Sequence, residues 1–111
     1  MNTVDPSEEA SIFRALADST RRQILAELRS GELAAGEIAG KFPISGPSVS
    51  RHLGVLKSAG LIRERREANR IFYSLVEERL ALCVGRFLSA VCPEEAISRR
   101  QRQRAARGEL T

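Results

Sequence analysis

The sequence predicts a mainly α fold of the α+β kind: five helices, with a two-stranded β hairpin between the fourth and the fifth. Three observations predict it. Apolar residues recur at three and four positions through residues 7–59 and again through 76–91, the period of helices with one buried face. Pro43 to Ser45 breaks two short helical stretches with a gap of about three residues. Directly behind the second of these, "LIRERR" and "RIFYSL" read as strands around a turn near Glu67, Ala68 and Asn69.

The elements can be justified in chain order. Ser7 is a candidate cap for a first helix over 7–16. Glu8 and Glu9 lie in its first turn, where the dipole favours them, and Ile12, Phe13 and Leu16 form its apolar face. Asp18 or Ser19 caps a second helix to Arg29, in which Ile24, Leu25 and Leu28 share a face and Gly31 ends the run. A third helix spans about 34–42, with Ile38 and Phe42 four apart. Ser45 caps the fourth, Pro47 is tolerated in its first turn, and Val49, Leu53 and Leu56 make its buried stripe before Gly60 stops it. Asn69 is the residue expected to take a left-handed conformation in the hairpin turn. A fifth helix runs from about Val76 to Val91, with Leu80, Val84, Phe87, Leu88 and Val91 on one side and Pro93 just beyond. Residues 98–111 are rich in Arg and Gln without apolar periodicity. They are expected to be a mobile basic tail to a single domain over 1–97.

At 42% hydrophobic and 29% charged the chain is globular rather than disordered, and with 5% aromatics and no Trp its core must be aliphatic. The net charge is +4, with arginines grouped at 63–70 and 99–107. So small a basic domain favours a polyanionic partner, nucleic acid before membrane. Two cysteines without a CxxC pattern do not make a disulfide scaffold and suit a reducing compartment. The opening "MNTVDPSEEASIF" is acidic and has no signal-peptide core, and no apolar run approaches a membrane span, so the expected location is cytoplasmic.

The third and fourth helices have helix-turn-helix spacing, and in such a unit the N-terminal residues of the second helix meet the DNA bases. With Val49, Leu53 and Leu56 turned inward, Pro47, Arg51, Gly54 and Ser58 turn outward, flanked by Ser48 and Ser50. Small residues allow close approach to a groove, and serines and one arginine supply hydrogen bonds to bases and phosphates. The ribbon behind such a unit is a wing, and Arg66, Asn69 and Arg70 are placed at its tip, against the DNA backbone. The candidate DNA-binding set is therefore Ser45, Gly46, Pro47, Ser48, Ser50, Arg51, Arg66, Asn69 and Arg70.

Each of these has a plainer reading. The serines are also ordinary exposed helix residues, Arg51 could pair with Glu37, and the wing arginines could pair with Glu64 and Glu67. His52, beside the buried stripe, reads as a packed and hydrogen-bonded histidine rather than a ligand, and Arg21 and Arg22 read as structural. Cys83 and Cys92, nine apart, face opposite sides of a helix. Cys83 is expected to be buried and inert, Cys92 exposed and the more reactive.

The pieces "ALADSTRRQILAEL", "GEIAGKF", "SVSRHLGVLKSAGLI" and "REANRIFYSL" together resemble the winged helix-turn-helix repressors of the ArsR/SmtB type, from about Ile12 to Val91. Within that family the chain looks closest to the SdpR-like autorepressors, which lack metal ligands. The resemblance implies a homodimer built from the first and last helices, which places Ile12, Phe13, Leu80, Cys83, Val84, Phe87, Leu88 and Val91 at the dimer interface. It also implies binding to an inverted-repeat operator and repression of transcription, with double-stranded DNA and a second copy of the chain as partners.

Two departures from the family pattern stand out. The third-helix segment "GELAAGEIAG" carries no Cys, His or Asp, and the last helix has no His, so no metal and no cofactor is expected. The wing turn lacks the Gly that many members carry. The alternatives are a thiol-, redox- or ligand-responsive regulator of the same type working through Cys83 or Cys92, and a winged-helix protein-interaction module without an operator. Nothing in the sequence pairs a nucleophile with a base and an orienter, so no enzyme is expected.

Overall fold

The computed structural model describes residues 4–108. The expected 1–97 unit and basic tail thus extend beyond it at residues 1–3 and 109–111. Helix α1 is Pro6–Leu16. Its cap is Asp5 rather than Ser7: the Asp5 carboxylate accepts from the Glu8 amide at 2.9 Å, and the Glu8 carboxylate accepts from the Asp5 amide at 3.1 Å. Pro6 then sits at the first helical position, where a missing N–H costs nothing. The amide bond from Glu8 holds the Asp5 carboxyl below its ordinary value.

Helix α2 is Ser19–Glu27, capped by Asp18, which accepts from the Arg21 amide at 3.1 Å. That bond is the main cause of the lowered Asp18 pKa. The last turn of the expected helix tightens into a 3₁₀ turn at Leu28–Ser30, and Gly31 leaves it with φ of 143°. Arg21 and Arg22 are structural, as expected. Arg21 donates to the carbonyls of Ala15 at 2.7 Å and Arg14 at 3.0 Å, and Arg22 donates to that of Leu16 at 2.7 Å. All three carbonyls lie in the last turn of α1, where helical partners run out, although that of Arg14 also accepts from the Ala17 amide at 3.2 Å.

Strand β1, Leu33–Ala34, precedes helix α3, Ala35–Ala39, which is shorter than the sequence suggested. Helix α4 is Gly46–Ser58. It ends in a Schellman motif: the Gly60 amide donates to the Lys57 carbonyl at 2.9 Å and the Leu61 amide to that of Leu56 at 3.0 Å, with Gly60 at φ 76°. Leu56 and Leu61, which this motif brings together, are both fully buried. Strands β2, Ile62–Glu67, and β3, Arg70–Leu75, follow, then helices α5, Glu77–Val91, and α6, Glu94–Ala106.

The fold is the expected mainly helical one with a β wing, and it adds one strand and one helix. The sheet is antiparallel in the order β1-β3-β2, with Leu33 opposite Tyr73. Two residues are too short for a period to be read, so β1 was invisible in the sequence. Residues 98–106, expected to be tail, continue helix α6. Their Arg, Gln and Ala are good helix formers. What they lack is a buried face, and the absent periodicity reflects that. The core gathers Ile12, Ile24, Leu28, Ile38, Val49, Leu56 and Cys83 from every helix except α6, and Leu61 from the start of the wing.

The wing turn differs from expectation in one respect. Positive φ falls on Ala68, at 55°, and not on Asn69. A side chain there pays about 1 kcal/mol in steric cost that glycine escapes. A two-residue turn with positive φ at its first central residue favours Gly at that place. Ala68→Gly is accordingly expected to stabilise the fold by about 1 kcal/mol, raising Tm by about 4 °C or more in a domain of this size. Thermal unfolding followed by circular dichroism checks it, and a lower Tm would contradict the strain argument.

Candidate nucleic-acid interface

The two helices of the helix-turn-helix are α3 and α4. The Ser45 hydroxyl caps α4 by accepting from the Ser48 amide at 3.2 Å, and it donates to the Ser48 hydroxyl at 2.9 Å. The Ser48 oxygen is thus an acceptor within the protein, and its own proton is directed elsewhere. With the Ser48 amide capped and no N–H on Pro47, the Gly46 amide is the remaining early donor of a helix end whose dipole favours anions.

Gly46, Pro47, Ser50, Arg51, Gly54 and Ser58 are all exposed, while Val49, Leu53 and Leu56 are buried, so the wheel read from the sequence holds. A Cβ at Gly54 would meet nothing within 4 Å, so packing within the protein does not require glycine there. Arg51 does not pair with Glu37. The Glu37 carboxylate instead accepts from the Ala34 amide at 2.8 Å, and no carboxylate lies within ion-pair distance of Arg51 among the described residues.

Three contacts fix α4 in place. At its middle, the half-buried His52 receives Arg21 at 3.3 Å on Nδ1, with Asp18 at 3.9 Å. The contact gives this histidine the packed, hydrogen-bonded role expected of it. At its end, Arg79 of α5 donates to the Ala59 carbonyl at 3.2 Å and pairs with Glu8 of α1 at 2.5 Å. On its side, Lys57 binds Glu64 of β2 at 3.0 Å, and the Tyr73 hydroxyl donates to the same carboxylate at 3.2 Å. The lysine bond chiefly lowers the Glu64 pKa. Recognition helix and wing are thereby tied to one another.

The wing arginines divide by face. The pairs Glu64–Tyr73 and Arg66–Ile71 share the face that carries the buried Ile62, and Arg63–Ser74, Arg65–Phe72 and Glu67–Arg70 share the other. Arg66 and Arg70, expected together at the tip, are therefore both distal and exposed but lie on opposite faces. Arg70 stands over the Phe72 ring at 5.0 Å. Arg65 is structural: Glu32 takes two of its nitrogens, at 2.7 and 3.0 Å, Glu67 takes another at 2.9 Å, and its guanidinium covers Phe72 at 4.6 Å. The partner Glu32 is distant in sequence, so spacing gave no sign of it. Asn69 is exposed in the turn.

The residues placed at a dimer face separate in the same way. Ile12 and Cys83 are fully buried within the one chain, so both belong to the protomer core and neither is available to a partner. Burial pushes the Cys83 thiol up, with Glu9 adding to the effect, which disfavours the thiolate. Cys92 is half-buried at the end of α5, and both cysteines are free thiols. Phe87, Leu88 and Val91 are 50%, 39% and 63% exposed, with Leu80 and Val84 half-buried beside them. Phe13 meets the Phe87 ring edge-on, centroids 5.5 Å apart. Among the described residues no three His, Cys, Asp or Glu side chains gather as a metal site, and no helix is long and apolar enough to cross a membrane.

Residues 16–65 match a family described as a helix-turn-helix domain. The transcriptional repressor SdpR of Bacillus subtilis is 48% identical over 65 residues, which cover 59% of this chain and 72% of that protein. The biofilm growth-associated repressor of Agrobacterium fabrum is 38% identical over 90 residues, covering 80% of this chain and 77% of its own length. Among solved structures, an ArsR family transcriptional regulator superposes with a TM-score of 0.72 at 30% identity, over 79% of this chain and 90% of that one. The repressor BigR from Xylella fastidiosa does so with a TM-score of 0.60 at 31% identity, over the same shares.

Proposed function

Since the chain belongs to the ArsR family of winged helix-turn-helix DNA-binding transcriptional repressors, we propose that it works as a homodimer that reads an inverted-repeat operator without a metal ion. The observation that carries this is the outward face of α4: small, polar, with an exposed Arg51, and braced at its middle and at its C-terminal end. Arg51 is the base-reading residue and Ser48, Ser50 and the Gly46 amide contact base edges or phosphates, with Ser45 holding the helix start and Pro47 and Gly54 keeping the surface low. Arg66, Asn69 and Arg70 follow the backbone. Phe13, Leu80, Val84, Phe87, Leu88 and Val91 supply the surface that pairs with a second copy. Metal-independent action is supported by His52, whose Nδ1 faces the cation of Arg21, and the reading places the protein in the cytoplasm.

Selection from random-sequence duplexes tests it. The expected product is an inverted repeat with half-sites about 10 base pairs apart, one helical turn, as two-fold docking requires. Recovery of no common sequence would overturn the proposal.

A further inference from the structure

Helix α6 is a projecting basic rod. None of its residues is buried, and only Ala96, Ile97 and Ser98, near its start, are half-buried. The Cα radius of gyration is 15.7 Å, against about 13 Å for a compact chain of this length, as a projecting element produces.

The distribution of charge gives this helix its meaning. Residues 98–108 hold five arginines, Arg99, Arg100, Arg102, Arg104 and Arg107, and no acid. The whole chain has 18 basic and 14 acidic residues for a net charge of +4. Three of the acids, Glu94, Glu95 and Glu109, lie on or beyond α6, so the winged-helix body, residues 1–93, holds 13 basic and 11 acidic residues for a net charge of +2, while residues 98–108 add five positive charges in one short stretch. In the body Arg65, Arg79 and Lys57 are already paired with carboxylates. Arg99, Arg100 and Arg102 form no ion pair among the described residues, although Glu94 and Glu95 open the same helix.

We propose that α6 is a second DNA-contacting element, a sequence-independent clamp on the phosphates beside the operator. Thirteen helical residues extend about 20 Å, the span of about six phosphates along one strand. Arginine on a helix suits a regular phosphate array. A lipid surface fits less well, because a membrane-lying helix needs a broad apolar face, and Ile97 is the one large apolar residue in α6. The proposal rests on the DNA-binding reading above and assigns it a division of labour: α4 selects the sequence, and α6 supplies most of the salt-sensitive affinity.

The test compares the full chain with the triple variant R99Q/R100Q/R102Q and its charge-retaining counterpart R99K/R100K/R102K. Affinity for operator and scrambled duplexes is measured across a salt series. Losing three phosphate interactions from each protomer would flatten the slope of log K against log salt by about 5, and losing even one from each by about 2, at about 0.9 for each phosphate. The glutamine variant is expected to bind both duplexes more weakly with this shallower slope and an unchanged preference ratio, and the lysine variant to keep the steep slope. An unchanged slope in the glutamine variant, or a fall in affinity confined to the operator, overturns the proposal. So does loss of binding to phosphatidylserine vesicles in the glutamine variant while its DNA slope stays as it was. A parent protein with no operator preference would instead refute the repressor reading itself, and is read from the same titrations.

Discussion

Arg51→Ala is expected to abolish most of the operator preference and leave the protein folded. Its guanidinium is exposed on α4 with no carboxylate in ion-pair distance among the described residues, so truncation removes no ion pair that holds the fold. Surface changes of that kind stay within about 0.5 kcal/mol of stability. At the DNA, a well-made bidentate arginine contact gives about 1–3 kcal/mol of discrimination. A two-fold dimer makes it twice, so the loss is about 2–6 kcal/mol, roughly 30-fold to 10⁴-fold in operator affinity. Binding to scrambled duplex should change far less. Arg51→Lys separates charge from geometry: lysine restores a cation but not the planar fork, so it should recover salt-sensitive binding and not the preference. Anisotropy titrations of the three proteins decide the matter. Undiminished preference in Arg51→Ala would remove this residue from the interface.

A charge on the exposed stripe of α5 should have an effect of similar size on assembly. Val91 is 63% exposed and Phe87 50% exposed in the isolated chain, beside Leu88 at 39%. Three large apolar side chains in one patch are what an obligate partner covers. Because a two-fold interface repeats each residue, an aspartate at Val91 acts twice. At about 2 kcal/mol or more for each disrupted anchor, the dimer weakens by about 10³-fold. Val91→Asp is the cleaner variant, since Val91 contributes little to the protomer. Phe87→Asp also removes the edge contact with Phe13, at a further cost of about 0.5–1.5 kcal/mol to the fold. Sedimentation velocity should show monomers for both, with helical circular dichroism retained in Val91→Asp. A Val91→Asp protein that still sediments as a dimer would place the subunit contact elsewhere.

What could be read from the sequence was whatever leaves a period or a stop signal. The buried stripe of Val49, Leu53 and Leu56, the Ser45 cap and the Gly60 stop together placed the recognition helix to within a residue at each end. The alternation in 61–75 placed the wing strands. Long-range polar contacts left no trace. Glu32 holds Arg65, and Glu8 with the Ala59 carbonyl holds Arg79, across separations that no local pattern encodes. Cys83 and Phe87 are four apart and share the apolar face of α5, so a helical wheel could not tell the enclosed Cys83 from the exposed Phe87. Only the fold shows which of them the core has already enclosed. Helix α6 was hidden for the converse reason: it forms without a buried face, so the periodic signal for a helix was missing.

The most direct measurement is an equilibrium titration of the reduced protein, with a metal chelator present. It uses a duplex carrying the selected inverted repeat, and a scrambled duplex of the same composition, at physiological salt. The account predicts a preference of about 10³ or more for the repeat, unchanged when the chelator is omitted, with two protomers bound per duplex. Equal affinity for the two duplexes, or a preference that appears only when metal is supplied, would contradict it.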